Sequence, residues 1–422
     1  MTGPNPDRSP GGRPLPDRIW VPALVAALLA LAFVGALLVR ADGDVSLLVH
    51  AAPPNTSADG APGSLTVQPT DEGFDGQFFY RLGVDPWSTE ATVDGVTFDL
   101  PSLRNARWGY GALAFVASGG DPDLVPWALV GLNLLAAVAV GAVGGGLARS
   151  SGRHAAWGLL LLLWPGFAYS LSLDTSELVA AAFLLGGLLA LRHRRWLPAA
   201  LLLAAAVLTR DTTAAVPFGV AATGAWTLGS TWRRARSGSD LDDRGGGSSD
   251  PDLADVGTDG ATLVGVGGAA LAVFVGWQLL QRSRFGGLPL TSSGDNNLSG
   301  PLGGLVDLLR EVVPPSGGDE AFRLLSVLGL FGLIGLAAWC WRRSTAPLPE
   351  RVAWLPAVAV VGLLNAYLWS GATAFMRAST EAGVLSILVV LGSTKRWVLP
   401  LASLGLAGLW LLTAGAQLAK LG

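Results

Sequence analysis

Residues 155–192 read AAWGLLLLLWPGFAYSLSLDTSELVAAAFLLGGLLALR and set the pattern of the whole chain. Two apolar runs, 155–173 and 176–191, flank a short turn that contains Asp174 and Glu177. Both runs approach the roughly 20 apolar residues that a helix needs to cross a hydrocarbon core about 30 Å thick. The stretch therefore predicts two membrane helices joined by an acidic turn.

The same pattern recurs on both sides of this stretch. Further apolar segments lie at 20–39, 124–147, 197–209, 213–231, 261–281, 322–341, 352–369, 380–393 and 397–418. Of the 422 residues, 51% are hydrophobic and 14% are charged, whereas roughly a quarter of the residues of soluble domains are charged. We predict an all-α polytopic protein of the cell membrane with about eleven transmembrane helices. A net charge of -3 spread over short loops gives no support to a nucleic-acid partner.

The basic residues predict the orientation, because short cytoplasmic loops retain Lys and Arg during insertion. Successive clusters are separated by two apolar segments each, so they share one side: Arg149 and Arg153; Arg192, Arg194 and Arg195; Arg233, Arg234 and Arg236; Arg342 and Arg343; Lys395 and Arg396. The N-terminal arginines belong on the same side, which puts the N-terminus inside. The apolar segment Trp108–Val116 is too short to span, so it must enter and leave the membrane on the outer side.

These assignments divide the chain into four parts. Residues 1–18 form a cytoplasmic tail, and residues 19–231 form an N-terminal membrane module with a long outer loop at 41–123. Residues 232–260 are rich in Gly, Ser and Asp and predict a flexible cytoplasmic linker. Residues 261–422 form a C-terminal membrane module.

Charged residues collect at the predicted outer ends of the helices. They are Asp174 with Glu177, Arg210 with Asp211, Arg377 with Glu381, and, around the remaining outer loop, Arg282, Arg284 and Arg323. Ionisable groups near hydrocarbon are costly, and arginines on the outer face oppose the usual charge bias. They indicate an anionic partner there, such as a lipid phosphate.

The first outer loop contains the densest motif, DEGFDGQFFYRLGVDPW at 71–87. It predicts a short amphipathic helix that lies at the membrane interface and directs its acidic start, Asp75, at a cavity. Gly76 would let backbone or substrate approach Asp75 closely. Tyr80 and Arg81 on the same helix are candidate substrate contacts.

The order of these motifs resembles a known family. An anchor helix and the FDGQFFY loop are followed by RNARWGYGALAFVASGG, LVPWALVGLNLL, WPGFAYSLSLDTSELVAAAFLLGGLLAL and RHRRWLPAALLLAAAVLTRDTT. This is similar to the GT-C superfamily of polytopic glycosyltransferases, in particular to bacterial mannosyltransferase-like members. The resemblance covers residues 19–231 well, and the C-terminal half matches in topology. One departure is that many relatives carry Asp-Glu where this chain has Asp75-Gly76.

The resemblance implies a function and site residues. It makes Asp75 the catalytic aspartate of the first loop, acting as general base, and Asp174 a second acidic residue, and it matches the LTR signature to Leu208, Thr209 and Arg210. The implied reaction moves a sugar such as mannose from a polyprenyl-phosphate donor to an acceptor hydroxyl on the outer face, with inversion at the anomeric carbon of the sugar. The acceptor could be a glycan, a lipid or a protein, and assistance by a divalent cation is left open.

The residues fit this chemistry independently, because one carboxylate can take the acceptor proton and arginines can hold the departing phosphate. Arg377, Arg282 and Arg284 are further candidates for the donor phosphate, and Glu177 for substrate binding. A histidine metal site is not expected, since His50 stands alone on the outer side.

Simpler roles remain open for each candidate. Asp75 could cap the helix that begins at Gly76, and Asp174 with Glu177 has the spacing of a capping box. Arg210 could pair locally with Asp211. Two sets of arginines could contact lipid headgroups alone: Arg104 and Arg107, and Arg282 and Arg284.

Two other classes of protein also remain open. A transporter or flippase of a lipid-linked sugar would need the same arginines, but also polar residues along a path through the membrane. An assembly scaffold would tolerate replacement of Asp75. An enzyme predicts that Asp75 and Asp174 share one outward-facing cavity.

Overall fold

The computed structural model describes residues 17–70, 73–239, 251–292 and 298–421, and the protein is 74% helical. The α-helices are α1 Trp20–Arg40, α2 Gly76–Val84, α3 Pro101–Ala106, α4 Trp108–Ser118, α5 Val125–Ser150, α6 Leu159–Leu162, α7 Pro165–Ser172, α8 Glu177–Arg192, α9 Trp196–Thr209, α10 Ala215–Ser239, α11 Pro251–Phe285, α12 Pro289–Ser292, α13 Gly303–Val312, α14 Gly318–Cys340, α15 Leu348–Leu363, α16 Ala366–Trp369, α17 Ala372–Ala378, α18 Thr380–Leu391 and α19 Val398–Lys420. Two short strands, β1 Thr92–Val93 and β2 Val96–Thr97, pair antiparallel.

Five of the described helices are long and apolar enough to cross a membrane: α1, α5, α14, α19 and the 259–285 part of α11. The number rises to seven if each of two bent helix pairs counts as one span. The chain is therefore an all-α protein of the membrane type. Each of the eleven predicted segments contains helix, but α8 and α9 have 16 and 14 residues and reach about 24 and 21 Å.

Helix α18 forms the centre of the bundle. All twelve of its residues are buried, as expected for a helix that is apolar all round. It packs against α14, α15, α8 and α19. The N-terminal end of α18 is therefore fixed in position by several neighbouring helices.

Small residues allow close helix contacts elsewhere in the bundle. A Cβ on Gly141 of α5 would collide with Pro22 and Ala26 of α1, and a Cβ on Gly224 of α10 would collide with Gly260 of α11. Without a side chain at these positions the backbones approach closely, which favours association of membrane helices.

Two breaks in the helices bring polar residues to one end of the bundle. The 155–162 and 165–172 pair is bent by 61°, and α17 and α18 are bent by 60° at Ser379. Pro165 begins α7 at the first of these breaks, where a proline is tolerated because its missing N–H needs no partner. The start of α8 and the α17–α18 junction meet as a result, through an ion pair between Glu177 and Arg377.

The first loop folds differently from the prediction in one respect. Helix α2 was expected to lie at the membrane interface, but eight of its nine residues are buried. It packs against α4 and α5, because its three consecutive aromatic residues cover several of its sides. Helix α4 corresponds to the predicted re-entrant segment. Its eleven residues extend about 16 Å, which is too short to cross the hydrocarbon core of a membrane.

The predicted linker at 232–260 is helical at both of its ends, since α10 continues to Ser239 and α11 begins at Pro251. The apolar helices on either side extend into it, and Pro251 suits the first turn of a helix. Residues 240–250 lie outside the described residues, so the flexibility of that part stays a prediction.

Candidate functional site

Asp75 lies at the point where α2 begins, but its carboxylate does not cap the helix. Its Oδ1 accepts a hydrogen bond from Arg104 at 2.7 Å, and its Oδ2 faces Arg377 at 2.5 Å and Arg107 at 3.5 Å. The capping alternative is therefore wrong. The carboxylate serves as the meeting point of three guanidinium groups.

Gly76 holds this helix start against two other segments. A Cβ at Gly76 would collide with the carbonyl oxygens of Val49 and Leu173. The backbone beside Asp75 is thus pressed against the loop that follows α1 and the turn that follows α7. A larger residue at Gly76 would therefore require the backbone of one of these segments to shift.

Glu177, the first residue of α8, is the second carboxylate of the site. Its Oε1 is 2.6 Å from Arg210 and 2.9 Å from Arg377. The side chain is buried, and Ser170 donates a hydrogen bond to its Oε2 at 3.2 Å. Because Arg377 contacts both carboxylates, it links Asp75 to Glu177 directly.

Arg210 does not pair with its neighbour Asp211, so that alternative is also wrong. Its guanidinium contacts Glu177 and, at 3.1 Å, Glu381 of α18, and it donates to the carbonyl of Arg377 at 2.7 Å. Asp211 instead faces Arg107 at 3.5 Å. Arg210 is therefore a buried crosslink between α8, α17 and α18.

Together these contacts form a continuous ion-pair network. Its members are Asp75, Asp99, Arg104, Arg107, Glu177, Arg210, Asp211, Arg377 and Glu381. Burial alone would raise the pKa of the Asp75 carboxyl, but the attraction of Arg377, Arg104 and Arg107 outweighs it and holds that pKa well below its usual range. Asp75 is therefore ionised, and it is a weak base for as long as the arginines surround it.

The exposure of the network changes from one side to the other. The side chains of Asp75, Arg104 and Arg107 are 19%, 19% and 20% exposed, whereas those of Glu177 and Arg210 are 2% and 4% exposed. A ligand can thus reach the Asp75 side of the network. The Glu177 side is closed and holds the helices together.

Asp174 does not belong to this network, contrary to the prediction that it shares a cavity with Asp75. It is fully buried in a left-handed backbone conformation with φ of 45°. Neither carboxylate oxygen has a hydrogen-bond partner within the described parts of the chain. Burial raises its pKa well above the usual value. It does not cap α8 either, whose N-cap is Ser176.

Tyr80 and Arg81 do not reach the network. Tyr80 is completely buried. Arg81 donates to the carbonyls of Ala91 at 2.7 Å and Val96 at 3.0 Å, and its guanidinium lies 3.9 Å from the centre of the Phe98 ring. Arg81 therefore holds the β-hairpin onto α2.

Arg282 and Arg284 lie at the end of α11, apart from the Asp75 network. Arg284 donates to the carbonyl of Trp87 at 2.7 Å, and Arg282 is exposed. The structure brings together Asp75, Glu177, Arg210 and Arg377 from the predicted set. It leaves Asp174, Tyr80, Arg81, Arg282 and Arg284 outside.

Five members of the network were not predicted as site residues: Asp99, Arg104, Arg107, Asp211 and Glu381. Arg104 and Arg107 were assigned to headgroup contact, but both bind Asp75. Their i, i+3 spacing in RNAR was the available signal, since such residues share one helix face. Glu381 was noted near Arg377, but its pairing with Arg210 depends on a tertiary contact that sequence spacing does not give.

A divalent cation does not fit the residues of this site. Among the described residues there is no group of three or more His, Cys, Asp or Glu side chains that could hold a metal ion. The carboxylate of Asp75 is instead surrounded by cations that would repel one. The arrangement suits an anion that competes with the carboxylate for the arginines.

Comparison with known proteins finds no matching protein family, no matching curated protein and no matching solved structure.

Proposed function

We propose that this protein is a membrane glycosyltransferase of the GT-C type, which moves a sugar from a polyprenyl-phosphate donor to an acceptor hydroxyl. The observation that carries the proposal is Asp75, a partly exposed carboxylate held by three arginines at one end of an apolar helix bundle. It combines a base with a binding site for phosphate. The orientation argument from the basic loops puts this end on the outer face of the cell membrane.

The arginines couple donor binding to activation of the base. A donor phosphate that contacts Arg104, Arg107 and Arg377 would take over hydrogen bonds that Asp75 now receives. Each arginine has a second carboxylate partner, so it stays in place when it releases Asp75: Asp99, Asp211 and Glu177, respectively. Asp75 then regains basicity when the donor is bound.

The reaction follows from this arrangement. Asp75 accepts the proton of the acceptor hydroxyl while the acceptor oxygen attacks the anomeric carbon of the sugar. The bond from that carbon to the phosphate oxygen breaks, and the electron pair leaves with the polyprenyl phosphate. The guanidinium groups stabilise the charge that develops there. Attack opposite to the leaving group inverts the configuration at the sugar.

Arg210 acts in this scheme as a positioning residue. It is almost fully enclosed by Glu177 and Glu381, and it holds the backbone of Arg377 through the carbonyl. We assign the phosphate contacts to Arg104, Arg107 and Arg377, which lie nearer to the open side.

The alternative of a transporter or flippase has less support. The buried arginines in ion pairs lie in two groups within the described residues, the Asp75 network and a single pair of Arg192 with Glu350. A charged path through the bundle would need intermediate groups.

The test is sugar transfer by the purified protein from a radiolabelled polyprenyl-phosphate mannose. Asp75→Asn should lower the rate by about a hundred-fold to ten-thousand-fold, the usual contribution of a positioned base. Asp59→Asn, an exposed carboxylate of the same loop, is the matched control and should keep the wild-type rate. Full activity of Asp75→Asn would exclude the assignment. Absence of transfer by the wild type from every donor tested, with movement of the lipid between leaflets, would favour the transporter.

A further inference from the structure

The two helix breaks of the bundle contact each other through Trp164. This residue lies in the first break, between α6 and α7, and the second break lies at Ser379, between α17 and α18. Pro165 follows Trp164, and a proline disfavours helical backbone in the residue before it. Trp164 is accordingly extended, with ψ of 122°, and its side chain is buried. The Trp-Pro pair therefore breaks the helix at a residue whose indole ring lies inside the bundle.

Two glycines provide the space for this ring. A Cβ at Gly383 of α18 would collide with the six-membered ring of Trp164, and a Cβ at Gly166 of α7 would collide with its indole nitrogen. The same Cβ at Gly166 would lie only 3.0 Å from the carbonyl oxygen of Met376 in α17. The indole ring therefore packs directly on the backbone of α7 and α18, and α7 closely approaches α17 beside it.

A short chain of hydrogen bonds leads from this ring to Arg377. The indole N–H of Trp164 donates to the Thr380 hydroxyl at 3.3 Å, and that hydroxyl donates to the Arg377 carbonyl at 2.8 Å. All three residues are buried. A hydroxyl can accept one hydrogen bond while it donates another, and Thr380 does both here. Loss of the hydroxyl would leave a buried N–H without its acceptor, which costs free energy.

The position of Arg377 matters because it contacts two carboxylates from distant parts of the chain. Its Nη2 faces Asp75 at 2.5 Å, and its Nε donates to Glu177 at 2.9 Å. Arg377 belongs to α17, a helix of only seven residues. Its carbonyl accepts hydrogen bonds from the Thr380 hydroxyl and, at 2.7 Å, from the Arg210 guanidinium. These tertiary contacts, rather than a long helix, fix the backbone of Arg377.

The other end of α7 contacts the second carboxylate of the network. Ser170 donates a hydrogen bond to Oε2 of Glu177 at 3.2 Å. The start of α7 reaches Arg377 through Trp164 and Thr380. One short helix therefore fixes both members of the ion pair between Glu177 and Arg377.

We propose that Trp164 is a positioning residue of the Asp75 network, which fixes Arg377 through the Thr380 hydroxyl. The place of Arg377 then sets its distance to Asp75 and to the donor phosphate. The effect on the donor rests on the proposed function, whereas the effect on the ion pairs concerns contacts within the chain. A purely structural Trp164 would change the stability of the bundle and leave the KM for the donor unchanged.

The first experiment separates KM from kcat in sugar transfer from a polyprenyl-phosphate mannose. Thr380→Val removes the hydroxyl and keeps the branched shape of the side chain. It should raise the KM for the donor about five-fold, with a smaller change in kcat, as expected for the loss of one hydrogen bond. Trp164→Phe removes the indole N–H and should have the same effect. Thr380→Ser keeps the hydroxyl and should have a KM close to that of the wild type.

The matched control is Thr223→Val. Thr223 is a buried threonine of α10 whose hydroxyl donates to the Gly219 carbonyl at 2.8 Å. It lies outside the Asp75 network, so this variant should keep the donor KM of the wild type. An unchanged donor KM in both Thr380→Val and Trp164→Phe would overturn the inference.

The second experiment needs no donor. Chemical denaturation in detergent compares the cost of Thr380→Val in the wild type with its cost in Asp75→Asn, which lacks one carboxylate partner of Arg377. If the hydroxyl positions Arg377 against Asp75, Thr380→Val should lower the free energy of unfolding less in Asp75→Asn, since coupled residues are not additive. Thr223→Val should cost the same in both. Equal costs of Thr380→Val would show a local role of the hydroxyl and contradict the inference.

Failure of this inference can be separated from failure of the proposed function. A smaller cost of Thr380→Val in Asp75→Asn, with no sugar transfer by the wild type, would support the positioning role and exclude the transferase. Sugar transfer with the same donor KM in the wild type, Thr380→Val and Trp164→Phe would support the transferase and exclude the positioning role.

Discussion

Two buried ion-pair sites of this molecule differ in how completely their charges are matched. Arg192 at the end of α8 meets Glu350 of α15 with two hydrogen bonds of 2.6 Å. The remaining guanidinium nitrogen donates to the Leu147 carbonyl and to the hydroxyls of Ser150 and Ser151. At the other site, Asp75 is shared among three arginines, and each of these arginines also contacts a second carboxylate.

This difference indicates at which of the two sites a ligand can replace the carboxylate as the partner of an arginine. Removing one member of the Arg192–Glu350 pair leaves the other charge without a carboxylate or guanidinium partner, and both side chains are at most 6% exposed. Removing Asp75 leaves every arginine paired. A closed pair stabilises the bundle, whereas a shared and partly open carboxylate can give way to a ligand.

The largest expected effect is on the free energy of unfolding. Replacing one carboxylate by its amide at each site tests the comparison. Glu350→Gln leaves the buried Arg192 uncompensated and should lower the free energy of unfolding by about 3–5 kcal/mol. Asp75→Asn should change it much less, because the three arginines keep Asp99, Asp211 and Glu177. Chemical denaturation of both variants in the same detergent is the measurement. Equal losses would show that Asp75 is a structural anchor like Glu350.

The helical part of this architecture could be predicted from the sequence, and the contacts between distant residues could not. Apolar runs and basic clusters predicted a helix at each segment, because helix formation depends on local pattern. Arg377 was assigned to an anionic partner from its place at the end of a helix. Its contact with Asp75, 302 positions away in the chain, depends on how the helices pack.

The site residues that the sequence predicted wrongly, and the hairpin that it did not predict, can each be traced to a particular stretch of the chain. The family resemblance favoured Asp174, but the turn after α7 directs Glu177 into the network instead. Tyr80 and Arg81 were assigned to substrate from a motif whose helix is buried. The β-hairpin was missed, although Asp94-Gly95 between Thr92-Val93 and Val96-Thr97 is a typical hairpin signal.

A smaller effect tests whether the arginines at the open side bind the donor. Arg104→Ala and Arg107→Ala should each raise the KM for a polyprenyl-phosphate sugar by about ten-fold, with a smaller change in kcat, since each removes one charge-assisted contact to phosphate. Steady-state kinetics of the purified variants give both constants. Arg323→Ala is a suitable control, because Arg323 pairs with Glu311, outside the network. An unchanged KM in both network variants would contradict the phosphate assignment and make the network purely structural.

The smallest expected effect concerns Asp174, whose carboxylate has no hydrogen-bond partner among the described residues. Because burial raises its folded-state pKa above the unfolded value, folding at a pH above the unfolded value requires the carboxyl to take up a proton, and this cost grows with pH until the folded carboxyl also ionises. Asp174→Asn removes this cost, so its melting temperature at pH 7 should equal or exceed that of the wild type. The difference should shrink as the pH falls towards about 4, where the unfolded carboxyl is also protonated. Sugar transfer should persist in this variant, since Asp174 does not contact the network. A loss of transfer by Asp174→Asn, with normal transfer by Asp75→Asn, would reverse the assignment of the base.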